Sequence, residues 1–125
     1  MKWQFESDRA IYIQIKEILK ADIIANNYEI GQKFPSVREL AQLASVNPNT
    51  MQKALVELEK EGFLESSGTL GRVISKNYGD LNTKREDFAK KKTDEYVAHM
   101  KKIGYSEKEI INLIMEVGKN VVSGN

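Results

Sequence analysis

The chain has 125 residues, a net charge of +1 and a hydrophobic share of 41%, enough apolar material for one small core plus an appendage. With no cysteine and a single histidine, His99, it offers no disulfide framework, thiolate or histidine-pair metal site, or cysteine nucleophile. No run approaches the roughly 18 to 20 apolar residues of a membrane span. Met1 to Glu6 lack the apolar stretch of a secretory signal, so a cytoplasmic protein is expected, with no membrane partner, metal or cofactor. The near-zero charge is a mild argument against a nucleic-acid partner. It does not exclude one, because Glu57, Glu59, Glu61 and Glu65 can lie away from a locally basic face.

Ile11, Ile15, Ile18, Leu19 and Ile23 recur at helical spacing and predict an amphipathic helix from Ala10 to Ala25, capped by Ser7 or Asp8. Gly31 lies past its end, and Gly31-Gln32-Lys33-Phe34-Pro35 reads as a loop. Ser36-Val37-Arg38-Glu39 is a capping box opening a short helix with Leu40, Ala41, Leu43 and Ala44 on its apolar face. After Ser45-Val46 a second helix starts, with Asn47 as cap and Pro48 at the first position, where its missing N–H costs nothing. Met51, Ala54, Leu55 and Leu58 form its buried stripe, and Gly62 ends it. Phe63-Leu64-Glu65 and Arg72-Val73-Ile74-Ser75 read as two short strands joined by a Ser- and Gly-rich loop. This is the element order of a winged helix-turn-helix.

Residues 77–84 are polar and turn-rich and read as a linker. Beyond them Ala89, Thr93, Tyr96, Met100 and Ile103 alternate at spacings of three and four, a seam for another helix. Gly104-Tyr105 breaks the pattern, and Ser106-Glu107-Lys108-Glu109 is a second capping box. It opens a helix with Ile110, Leu113, Ile114 and Val117 on one face. The expected fold is mainly α with a small β-hairpin. It comprises a winged helix-turn-helix over residues 1–76, a linker over 77–84, and a two-helix dimerisation arm over 85–125.

In a helix-turn-helix the first helix braces the second, whose N-terminal residues enter the major groove. Asn47, Asn49 and Gln52 suit that place, because their amides pair donor and acceptor with adenine. Arg38, Lys53 and Arg72 can bind phosphates, and Arg72 in the hairpin can also probe a minor groove. Lys90-Lys91-Lys92 reads as a solvated helix face.

The run Pro35-Ser36-Val37-Arg38-Glu39-Leu40-Ala41, followed by Val46-Asn47-Pro48-Asn49-Thr50-Met51-Gln52-Lys53-Ala54 and Glu61-Gly62-Phe63-Leu64, resembles the GntR family of bacterial repressors. The middle block is similar to the family's short YtrA-like subgroup, and Ala10-Ile11-Tyr12-Ile13-Gln14-Ile15 to its opening helix. The resemblance covers roughly the first three-fifths of the chain. It implies that Arg38, Asn47, Asn49, Gln52, Lys53 and the wing tip near Gly71 face DNA. It also implies that a small helical region makes the dimer. The wing departs from the pattern: Gly68-Thr69-Leu70-Gly71-Arg72-Val73-Ile74 stands where the family has a basic residue among glycines and then Thr-Phe-Val.

The candidate DNA-binding set is therefore Arg38, Asn47, Pro48, Asn49, Thr50, Gln52, Lys53, Gly71 and Arg72. The candidate dimer set is Ala89, Tyr96, Met100, Ile103, Ile110, Ile114 and Val117. The expected function is a homodimeric transcription regulator on a palindromic operator, most simply a repressor. The rival is a winged helix that docks a protein through its third helix, which an apolar outer face would favour. An enzyme is not expected, since no phosphate-cradling glycine loop or Ser/His/Asp arrangement is present. Two helices of this size cannot enclose a small-molecule pocket. Any effector is therefore expected near Tyr96, His99 and Met100 or at the base of the arm.

Overall fold

The computed structural model describes residues 3–26, 28–79 and 81–124. It divides into two compact units, Met1–Lys84 and Arg85–Asn125.

In the first unit, α1 spans Ile11–Ala25, and its Ile15, Leu19 and Ile23 are fully buried at four-residue spacing. Ala10 precedes the first turn without a side-chain cap, so neither Ser7 nor Asp8 acts as expected. Gln14 secures the entry instead. Its Nε2 donates to the carbonyls of Glu6 and Arg9 at 2.8 and 2.9 Å, and its Oε1 accepts from the Glu6 N–H at 2.7 Å. Asn26 closes the other end by donating to Asp22, well before Gly31.

Helix α2 covers Val37–Ala44 and α3 Pro48–Lys60. The expected capping box is formed: Ser36 Oγ accepts from the Glu39 N–H, and the Glu39 carboxylate accepts from the Ser36 N–H. The turn between the helices passes through Ser45 at φ 56°, the one left-handed non-glycine among the described residues. Its N–H is satisfied by carbonyls of α2, which ends that helix tightly enough for α3 to start three residues later. Both α1 and α2 pack on α3. The stripe Met51, Ala54, Leu55 and Leu58 is wholly buried against them.

Gly62, at φ 83°, turns the chain from α3 into the hairpin. Strand β1 (Leu64–Ser67) pairs antiparallel with β2 (Gly71–Ile74), Leu64 opposite Ile74 and Ser67 opposite Gly71. A 3-10 turn over Gly68–Leu70 joins them. The free edge of β2 is covered by residues 31–34, expected as loop. Phe34 N–H donates to the Arg72 carbonyl and Ile74 N–H to the Gln32 carbonyl, each at 2.9 Å. That pairing satisfies an edge that would otherwise be a template for other chains.

Helix α4 spans Leu81–Lys102, so the second half of the expected linker is helical. Gly104, at φ 105°, breaks α4 from α5 (Glu107–Gly124). The second capping box is formed between Ser106 and Glu109, and these bonds hold the Glu109 carboxyl below its ordinary range. Ile110 is buried, while Ile103, Ile111, Ile114, Met115 and Val117 are about half exposed or more.

Glu61, at the C-terminal end of α3, accepts from Lys16 at 2.8 Å and from Lys20, whose side chain is 8% exposed. Burial pushes the Glu61 carboxyl up, but the hydrogen bonds and charges of the two lysines outweigh it and hold it below its ordinary value. Glu61→Ala leaves the Lys20 charge buried without this partner and should cost about 1–3 kcal/mol, discounted from a fully buried pair. A depressed carboxyl contributes stability that is present above its unfolded value, near 4.5, and is lost as pH falls through the lower folded value. Thermal unfolding from neutral pH to about pH 3 should thus show the wild type losing its advantage over Glu61→Gln. A gap independent of pH would contradict the assignment.

Candidate nucleic-acid interface

From Asn47 to Val56 the chain carries no acidic residue. Asn47 Oδ1 accepts from the Asn49 N–H at 2.7 Å, and Pro48 takes the first helical position. The inward stripe of α3 fixes the helix's rotation, so Asn47, Pro48, Asn49, Gln52 and Lys53 are exposed and Thr50 is half-buried. This is also the positive end of the helix dipole. An anionic ligand would meet there a dipole of the right sign and short polar side chains.

Arg38, exposed in the first turn of α2, lies beside the wing. Together with Pro35, Ser36, Ser66, Gly68 and Arg72 it lines a shallow groove between the α2 start and the hairpin. Tyr12 brings the start of α1 to the same face, which residue-type reasoning alone does not show. Ile11, Tyr12, Asn49, Thr50 and Lys53 line a second hollow, and Lys53 Nζ stands 4.0 Å from the centroid of the Tyr12 ring. That contact restrains an otherwise flexible lysine.

The wing tip is uncharged. Gly68, Thr69, Leu70 and Gly71 are all exposed, and Leu70 projects an apolar side chain. Arg72 turns away from the tip. Its Nε bonds the Glu59 carboxylate and its Nη1 donates to Gln52 Oε1 at 3.3 Å, leaving the side chain 16% exposed.

The carboxylates of this region are paired. Glu57 meets Lys60, Glu59 meets Arg72, Glu61 meets Lys16 and Lys20, and Glu65 accepts from the Ser75 hydroxyl. The charges of Glu57, Glu59 and Glu61 gather at the far end of α3, so a net charge of +1 coexists with an N-terminal half of that helix free of acidic residues.

The candidate dimer residues fall in the second unit. Ala89, Tyr96, Ile103, Ile114 and Val117 are exposed and Met100 is half-buried. Ile110 is already covered within the single chain, so it offers a partner little surface.

The family model described as "Bacterial regulatory proteins, gntR family" matches residues 11–74. The HTH-type transcriptional repressor YtrA of Bacillus subtilis (strain 168) is 44% identical over 71 residues, covering 57% of this chain and 55% of its own length. A GntR family transcriptional regulator from Listeria monocytogenes superposes with a TM-score of 0.74 at 31% identity, over 90% of this chain and 98% of its own. The DNA-binding domain of AraR, in complex with operator ORX1, superposes at a TM-score of 0.51 and 27% identity, over 58% of this chain and 93% of its own.

The Asn47 cap can be tested apart from any ligand. Asn47→Ala should lower the unfolding free energy by about 1 kcal/mol, while Asn47→Asp, which can accept the same N–H, should stay close to wild type. Urea unfolding of the three proteins checks this; equal stability throughout would mean that the cap contributes nothing.

Proposed function

The chain belongs to the gntR family of bacterial regulatory proteins, and on that premise we propose that it represses transcription as a homodimer on a two-fold symmetric DNA operator. One observation carries the reading. The N-terminal half of α3 is exposed, free of acidic residues and braced from behind by α2. Lys53 and Arg38 stand on either side of it as phosphate contacts, and Asn49 and Gln52 face the base edges. Protein docking through α3 would want an apolar outer face; no large apolar side chain of α3 is exposed.

Dimerisation is assigned to the arm. Residues 85–125 expose Ile103, Ile111, Ile114, Met115 and Val117, more apolar surface than a free helical pair would leave in water. A two-fold pairing of this face gives two reading heads for two half-sites. Tyr96 and His99 are exposed beside it, where a small effector would bias the pairing instead of competing with DNA.

Two measurements follow. Ile114→Glu should convert a sedimenting dimer to a monomer at micromolar concentration and weaken operator binding without unfolding the chain. A wild-type monomer would contradict the dimer assignment. In salt titrations on specific and scrambled duplexes, Lys53→Ala should weaken both alike and lower the slope by about one unit. Asn49→Ala should cost roughly 1–3 kcal/mol on the specific duplex only. If both variants lose affinity equally on both duplexes, the division of roles is wrong.

A further inference from the structure

We propose that Arg72 is a positioning residue that sets base specificity: it pins the side-chain oxygen of Gln52 and restricts that glutamine to a G·C pair. The proposal rests on the DNA-reading role of α3 given above.

Gln52 and Glu59 are seven residues apart on α3, two turns along one side of the helix. Arg72 reaches both from β2, with Nε on the Glu59 carboxylate and Nη1 donating to Gln52 Oε1 at 3.3 Å. The guanidinium cannot move off easily. Its side chain is largely buried, and its backbone carbonyl accepts from the Phe34 N–H at 2.9 Å. Glu59 thus anchors Arg72, and Arg72 orients Gln52.

A guanidinium only donates. The flipped amide would turn the Gln52 NH2 group toward it, donor against donor, so the oxygen stays on the Arg72 side. Gln52 is itself exposed and presents its NH2 donors to the groove. Adenine offers N7 as an acceptor but N6 as a donor, and a glutamine reads it by using its own oxygen for N6. Here that oxygen already faces a cation, which weakens its second lone pair and repels the N6 hydrogen. Guanine offers N7 and O6, both acceptors, and its negative edge suits an NH2 group with a guanidinium behind it. The adenine pairing expected from a free glutamine is therefore replaced by guanine.

The test is selection from a randomised duplex library with the full-length wild type, Gln52→Ala, Arg72→Met and Arg72→Lys. The position that becomes degenerate in Gln52→Ala is the one Gln52 reads. There the wild type should select G·C over A·T by about tenfold, at the modest end of a paired contact. Arg72→Met should abolish or invert that preference while the other half-site positions stay as they were. Arg72→Lys, which keeps a donor for Oε1, should retain it. An A·T pair at that position in the wild type overturns the proposal, as does an unchanged G·C preference in a folded Arg72→Met or the loss of no position in Gln52→Ala. Should Arg72→Met fail to fold, the wild type and Gln52→Ala decide the question alone, since neither disturbs the Arg72–Glu59 pair. A wild type that enriches no motif brings down the DNA-reading role itself, an outcome distinct from a motif with the wrong base pair.

Discussion

Met51, Ala54, Leu55 and Leu58 lie on one side of α3 and are fully buried against α1 and α2. Removing a buried leucine from such a stripe costs roughly 2–5 kcal/mol, a large part of the stability of a small domain. This burial fixes the rotation of α3 about its own axis. Once that stripe is inside, Asn49, Gln52 and Lys53 have no choice but to face outward. The exposed polar surface of α3 is therefore a consequence of core packing, and any change that lets α3 roll would scatter it.

Electrostatics follow the same division along the helix. The acid-free end lies toward the caps, where the helix dipole already favours an anion. The carboxylates lie toward Gly62, where the dipole would disfavour them unless cations stood near. Lys16 and Lys20 from α1 and Arg72 from β2 supply those cations. The same pairs tie α1 and the hairpin to the end of α3, so neutralising the acids and bracing the helix are one set of contacts. A duplex approaching the other end meets little repulsion, although the chain as a whole is almost neutral.

Most of this was legible in the residues. Both capping boxes, the Asn47-Pro48 start and the inward stripe are local signals, set by spacing and backbone chemistry, and each is formed in the structure. What sequence reading missed depends on contacts between distant segments. The entry to α1 is held by Gln14 reaching back to Glu6 and Arg9, which no capping pattern announces. Residues 31–34 pair with β2 through backbone bonds, while Gly31-Gln32-Lys33-Phe34 shows no alternation of apolar and polar side chains. The start of α4 at Leu81 was hidden by polar, turn-forming neighbours. Arg72 suited a phosphate contact by residue type; only the fold places Glu59 and Gln52 within its reach.

We assign DNA contact to the N-terminal half of α3, with Arg38 and the wing. Amide chemical-shift mapping of the full chain during titration with a selected duplex tests it most directly. Shifts should concentrate at Ser36–Arg38, Asn47–Lys53 and Gly68–Arg72, with Glu57–Glu61 and the α5 face nearly unmoved. Shifts gathered instead on the arm, or on the far end of α3, would contradict this assignment.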